Sequence, residues 1–142
     1  MSRISLAQAK AIIAAAFDKG AELGLKPLSV AILDAGGHLI AFERQDGSSL
    51  LRASIATGKA GGALALGVSS RRIGEMAAER PTFVGALGTL APAGLIPAAG
   101  GVIVVDGEGL PLGAVGVTGD TSDNDEVCAL VGIAKAGLTA QA

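Results

Sequence analysis

The sequence predicts an α+β domain in which helices cover an antiparallel sheet. Apolar patterns of helical period and β-branched runs follow one another in the order helix, hairpin, two helices, hairpin, helix. This order lacks the strand–helix–strand alternation that builds a parallel sheet. No repeat of fixed period and no low-complexity linker divides the 142 residues, so we predict a single domain over residues 1–142.

The first helix and the first hairpin follow from local signals. Ser5 opens a capping-box pattern, apolar residues then recur at helical intervals, and Gly24 closes the run. Residues 28–34 are apolar enough on both faces to be an interior strand. We expect residues 35–37 to be the turn and residues 38–44 the returning strand.

Two helices are predicted in the middle of the chain. Residues 50–66 have a helical pattern, although each of the three glycines in it lowers helix propensity by about 1 kcal/mol relative to alanine. Such a helix must be held by tight packing against the sheet or a partner subunit. Ser69 or Ser70 caps a third helix over residues 71–79, which Pro81 ends.

The segment over residues 81–105 carries no charge and would be long enough for a membrane span, which takes about 20 apolar residues. Its glycines and prolines would leave backbone groups unsatisfied in lipid. We therefore expect a buried or pocket-lining loop followed by a strand, and no contact with a membrane.

The most polar turn follows the second predicted hairpin, whose strands cover residues 102–105 and 112–118. Residues 119–126 hold four acids just before the last helical pattern. In one interpretation Ser122 or Asp123 is the N-cap, and Glu126 completes a capping-box-like pair.

A functional interpretation of the same turn stays open beside the capping one. Glycines at 113, 116 and 119 would let a ligand approach the backbone, while Thr118, Asp120 and Thr121 present polar groups to it. The acids argue against a phosphate cradle, since they would repel the anion.

Composition excludes several classes of function. The net charge is −2 and Arg71-Arg72 is the only basic cluster, so nucleic acid is not expected as a partner. One cysteine and one histidine cannot make an intrachain disulfide or a Cys/His zinc site, and no metal site is predicted.

The first residues lack the pattern of a signal peptide, which predicts a cytoplasmic protein. The high mean hydropathy suggests apolar surface buried between subunits of a homo-oligomer.

Four polar side chains stand out as candidates for chemistry. His38 is either a general base or iron ligand, or a surface residue beside a turn. Arg44 and Asp46 share one side of a continuing strand, where they pair with each other or the arginine binds a carboxylate. Lys59, alone in its helix, either reaches solvent or supplies positive charge opposite the acidic turn.

Several motifs together resemble the GlcG/HbpS family, whose domain also forms the C-terminal part of PduO-type proteins. The resemblance covers nearly the whole chain. It rests on Asp34-Ala35-Gly36-Gly37-His38, Phe42-x-Arg44-x-Asp46-Gly47, Lys59-Ala60, Gly100-Gly101-Val102 and the run GAVGVTGDTSDNDE at 113–126.

The resemblance implies a profilin-like α/β/α sandwich around an antiparallel sheet of about five strands, and homo-oligomers. Some members of the family bind haem, and in PduO-type members its ligand is a histidine of the first helix. Here that region reads Phe17-Asp18-Lys19. Axial ligation would fall to a residue elsewhere, and the candidates are His38, Met76, Cys128 and the hydroxyl of Thr118.

Two hypotheses of function follow. The first is an oligomeric small-ligand-binding protein, with haem or a related tetrapyrrole as a possible cofactor near His38, Thr118 and Thr121.

The alternative is an isomerase, lyase or hydrolase acting on an oxo or hydroxy acid. Arg44 would hold the substrate carboxylate, Lys59 would stabilise negative charge, and Asp120 or Asp123 would move a proton. Cys128, one turn into the last predicted helix, is most simply a small core residue, and a reactive thiol is the alternative.

Overall fold

The protein is an open sheet of five antiparallel strands between two layers of helices, in a computed structural model that describes residues 3–142. The prediction about a signal peptide rests partly on Met1 and Ser2, which lie outside the described residues. The elements are α1 Leu6–Leu23, β1 Ser29–Asp34, β2 Leu39–Arg44, α2 Arg52–Leu66, α3 Ser70–Glu79, α4 Pro81–Leu87, β3 Gly101–Val105, β4 Pro111–Thr118, α5 Ser122–Lys135 and β5 Thr139–Ala140. The strand order is β2-β1-β4-β3-β5.

Each face of the sheet packs against its own helices. Helices α1 and α5 contact each other and cover one face, where the larger core forms. Helix α2 covers the other face along β1, β4 and β3; α3 contacts α2, and α4 packs against α3. The predicted α+β class and the α/β/α sandwich of five strands are therefore confirmed.

Helix α2 rests on the sheet at two glycines that face each other across β3 and β4. Gly101 and Gly116 are cross-strand partners. A Cβ on Gly116 would overlap the carbonyl of Ala56, and one on Gly101 would overlap the carbonyl of Lys59. The backbone of α2 thus lies directly against the sheet, which is the tight packing that its glycine content predicts.

The three glycines of α2 itself make room for a loop on the outer side of the helix. A Cβ on Gly61 would collide with Ala93, and one on Gly58 would lie 2.8 Å from a side-chain carbon of Ile96. The loop after α4 therefore packs on α2, as expected for the uncharged segment. Its beginning was predicted wrongly as loop, because residues 81–87 form α4 with Pro81 in the first turn.

Strand β5 is the element that the residues alone did not predict. It consists of Thr139 and Ala140, which pair with Val105 and Val104 at the edge of β3. A strand of two residues has no alternation of its own to detect. Among the described residues, no helix is long and apolar enough to cross a membrane.

Candidate functional site

Thr121, in the acidic turn, is the N-cap of α5. Its hydroxyl accepts a hydrogen bond from the backbone N–H of Asn124 at 3.3 Å, and its backbone is extended. The predicted N-caps, Ser122 and Asp123, lie instead in the first turn of the helix. The capping interpretation thus holds for the turn but names the wrong residue.

Lys59 and Asp125 form a buried ion pair behind this turn. The Nζ of Lys59 lies 3.1 Å from Oδ2 of Asp125 and donates to the carbonyl of Val117 at 3.0 Å. The other oxygen of Asp125 accepts from the backbone N–H of Asp120 at 3.0 Å. Burial lowers the pKa of Lys59, while the neighbouring Asp125 carboxylate acts in the opposite direction. The lysine thus faces the acidic turn and fixes it to α2.

Asp120 is fully engaged in local hydrogen bonds. One carboxylate oxygen accepts from the backbone of Lys26 at 3.1 Å. The other accepts from the backbone of Thr121 and the side chain of Asn124, both at 2.8 Å. The Asn124 and backbone donors lower the pKa of Asp120 to about 2. At neutral pH this carboxylate stays charged and is a weak proton acceptor.

Asp123 points away from the buried pair and towards α3. Its side chain is 80% exposed and pairs with Arg71, which also holds Glu126 at 3.0 Å. Glu126, expected to complete a capping-box-like pair with Asp123, is used in this interhelical contact instead. Asp123 is thus separate from Lys59 and Asp125.

Thr118 is buried at the end of β4, where Arg52 of α2 donates to its hydroxyl at 2.9 Å. Sequence reasoning did not identify Arg52 as a site residue. An available signal was its position, since a cation in the first turn of a helix opposes the helix dipole. Such an unfavourable placement calls for a compensating contact.

His38 lies at the tip of the first hairpin and is 82% exposed. Its Nδ1 is 3.2 Å from Oδ1 of Asp34, and this oxygen also accepts backbone N–H groups of Gly36 and His38. These donors lower the pKa of Asp34. The histidine and Arg44 lie at opposite ends of β2, roughly 20 Å apart at about 3.3 Å per residue.

An open groove of about 620 Å³ runs between α1 and the end of the first hairpin. Phe17 of α1 borders it, together with Lys26, Glu43, Arg44 and Asp46. Of the candidate residues predicted from the sequence, Arg44 and Asp46 border the groove. The backbone N–H of Lys26, another groove residue, donates to the carboxylate of Asp120. Lys59 and Thr118 belong to the α2 side, whereas His38 and Asp123 lie elsewhere on the surface.

The five-stranded sheet, with α1 and α5 on one face and α2 on the other, defines an α/β/α sandwich. The chain belongs to the HbpS-like family, described as haem degrading protein HbpS-like, whose profile matches residues 4–134. This confirms the resemblance seen in the motifs. No curated protein sequence matches the chain.

Solved structures of the family share the whole fold. The Klebsiella pneumoniae protein ORFY is 27% identical with a TM-score of 0.83, over 94% of this chain and 90% of that one. A double mutant of HbpS from Streptomyces reticuli is 27% identical with a TM-score of 0.79, over 93% and 86%. The structure of PduOC in complex with haem is 20% identical with a TM-score of 0.86, over 99% of both chains, and shows likeness of fold.

The groove lacks the side chains that commonly ligate haem iron. No histidine, cysteine or methionine is among the residues lining the groove. Cys128 is buried, and its burial raises the pKa of the thiol to about 11, which disfavours the thiolate that iron requires. Within the described residues, no group of three or more His, Cys, Asp or Glu side chains is placed to hold a metal.

Proposed function

We propose that this protein binds a small, carboxylate-bearing ligand of the tetrapyrrole class in the groove between α1 and the first hairpin. The observation that carries the proposal is the groove itself, which combines a volume of about 620 Å³ with an aromatic side chain and two cations. Membership of the HbpS-like family and the haem complex of PduOC support the choice of ligand class.

The size and chemistry of the groove suit such a ligand. Sites for small ligands commonly measure about 300–1,000 Å³ and place a few polar groups around an apolar surface. Phe17 offers an aromatic surface to a flat ring, and Lys26 and Arg44 carry charges that complement carboxylates. Glu43 and Asp46 also border the groove. Their carboxylates repel negative charge, so a more negatively charged ligand gains less binding free energy.

Since the groove supplies no iron donor, we expect ring packing and carboxylate contacts to provide the binding free energy. Metal-free protoporphyrin should then bind about as tightly as haem. The two dissociation constants should agree within about threefold, whereas an axial ligand to the iron would make haem bind more tightly than protoporphyrin by a larger factor.

The experiment is a fluorescence titration of the protein with protoporphyrin, paired with an absorbance titration with haem. Arg44→Ala and Lys26→Ala should each weaken both ligands by about threefold to tenfold, since each removes one charge-assisted contact. Lys10→Ala, an exposed lysine elsewhere on α1, is the matched control. Haem binding without protoporphyrin binding would refute the proposal, as would loss of haem binding in His38→Ala.

The enzymatic alternative has less support from the geometry. Arg44, Lys59 and Asp120 do not line one cavity, and Lys59 and Asp120 are already engaged by protein partners. We therefore favour binding over turnover.

A homo-oligomer remains part of the proposal, supported by Leu50 and Leu90, which are 86% and 76% exposed. Sedimentation velocity measures the assembly directly.

A further inference from the structure

A second polar cluster lies on the opposite face of the sheet, at the start of α2. We call it the α2 entrance cluster; it consists of Ser29, Ser48, Arg52 and Thr118. The hydroxyls of Ser29 and Ser48 are shielded from solvent and have no hydrogen-bond partner among the described residues. A buried hydroxyl without a partner costs about 1–3 kcal/mol, so this cluster needs an explanation.

The strand register places Ser29 against the contact between Arg52 and Thr118. Ser29 and Thr118 are cross-strand partners on β1 and β4. Directly opposite residues of an antiparallel pair point to the same face, with Cβ atoms about 5 Å apart. Thr118 faces α2, because its hydroxyl accepts from Arg52 at 2.9 Å. The fully buried Ser29 hydroxyl therefore points to the same space beneath the first turn of α2.

Arg52 brings a charge to this space that no carboxylate of the described residues neutralises. Its guanidinium makes one hydrogen bond, to Thr118, and forms no ion pair within residues 3–142. The nearby carboxylate of Asp125 is already bound to Lys59. A guanidinium offers five N–H donors in a planar fork, so most of its capacity to bind an oxyanion is unused.

The first turn of α2 adds free backbone donors. Its N-cap, Leu51, provides no side-chain hydrogen bond. Along the described chain, the N–H groups of Ala53 and Ser54 donate to no acceptor within hydrogen-bond distance. Free N–H groups and the positive end of the dipole make a helix N-terminus favourable for an anion, and here α2 is 15 residues long.

We infer that the α2 entrance cluster binds the oxyanion group of a small molecule, a carboxylate or a phosphate, between Arg52, the first turn of α2 and the hydroxyl of Ser29. The anion neutralises Arg52 and gives the Ser29 hydroxyl its missing acceptor. Since this hydroxyl has no accessible surface, the anion enters with a movement of residues 45–51, the loop between β2 and α2.

The proposed porphyrin groove lies beside this site, and Arg44, which borders the groove, is the partner of Ser29 on β2. None of the four residues of the α2 entrance cluster lines that groove. The two proposals can therefore fail independently. Porphyrin titration of an Arg52 variant distinguishes them, and we expect its affinity to be unchanged.

The test is NMR titration of the protein with sodium acetate and with inorganic phosphate, at constant ionic strength set by sodium chloride. We expect saturable shifts of the amides of Ala53 and Ser54 with at least one of the two anions. The anion that produces them identifies the oxyanion class. Arg52→Met should weaken the affinity by at least about tenfold, as for loss of a charge-assisted hydrogen bond. Arg72→Met, on α3, is the matched control and should bind normally.

Ser29→Ala provides a second test that does not depend on a charged variant. Without ligand this variant should melt at a higher temperature than the wild type, because it removes an unpartnered buried hydroxyl. Its affinity for the anion should nevertheless fall by about threefold or more. Linear, unsaturable shifts with both anions would overturn the inference, and so would an unchanged affinity in both Arg52→Met and Ser29→Ala.

Discussion

The ammonium of Lys59 and the carboxylate of Asp125 form an ion pair, 3.1 Å apart and almost wholly buried, that joins α2 to the first turn of α5. The two residues are far apart in sequence, and the second oxygen of Asp125 holds the backbone of Asp120. The pair thus connects the helix on one face of the sheet to the helix on the other.

Removing one partner of the pair should destabilise the protein strongly. Lys59→Met leaves the buried carboxylate of Asp125 without its cation, which costs about 3–5 kcal/mol. Urea denaturation followed by circular dichroism measures the loss in the free energy of unfolding.

The double variant Lys59→Met/Asp125→Leu should recover much of that loss, because no buried charge remains. Arg72→Ala, in an exposed pair with Glu75, is the control and should cost less than about 1 kcal/mol. A loss below about 1 kcal/mol in Lys59→Met would show that the pair is hydrated in solution.

A methyl group at Gly116 should prevent α2 from docking. The new Cβ would overlap the carbonyl of Ala56, and backbone cannot move aside as a flexible side chain can. We expect Gly116→Ala to lose at least about 2 kcal/mol, in the upper part of the range for overpacking. Gly107→Ala is a matched control, since nothing lies within 4 Å of its added Cβ. Thermal denaturation compares the two, and equal melting temperatures would contradict the packing described.

The hydrogen bonds to Asp120 should make part of the stability depend on pH. Its pKa is about 2 in the folded protein, compared with an ordinary value of 3.8. Because the folded pKa is the lower one, the contribution is fully present above about pH 5 and is lost as the pH falls through 4 towards 2. Asp120→Asn should therefore be less stable than the wild type at pH 7, and the difference should shrink over this interval.

Carboxyl carbon chemical shifts measured by NMR give the midpoint for Asp120 directly. A midpoint near 4 would mean that the donors from Lys26, Thr121 and Asn124 are not formed in solution.

The thiol of Cys128 should be protected from modification in the native protein. It lies on the buried side of α5, and burial raises its pKa to about 11. At pH 8 it is protonated, and the thiolate is the reactive form. We expect iodoacetamide to label it at the rate of global unfolding, as followed by mass spectrometry. Complete labelling within minutes, without loss of the native spectrum, would show local opening of α5.

The sequence was informative about packing where a residue type has one physical explanation. The glycines of α2 predicted close packing, and the structure gives each a neighbour that a side chain would displace. Pro81 was less informative, because proline both ends a helix and fits the first turn of the next. Sequence signals alone therefore located the end of α3 but not the beginning of α4.

The arrangement of polar residues depended on strand register, which no local pattern reveals. Nothing near Ser29 in the sequence indicates that Thr118 lies beside it or that Arg52 donates a hydrogen bond to Thr118. The isolation of Lys59 in its helix marks it as a candidate, but only the fold identifies its partner among the four neighbouring acids. Tertiary placement, rather than residue type, decided which candidates share a site.

The glycine contact between α2 and the sheet also bears on how the chain is synthesised. Helix α2 contains three glycines in 15 residues, and an isolated helix of this length is marginal in water. Its supports, Gly101 and Gly116, leave the ribosome about 35 and 50 residues after the helix ends. We therefore expect residues 52–66 to stay unfolded during most of translation and to become ordered only once the hairpin of β3 and β4 has emerged.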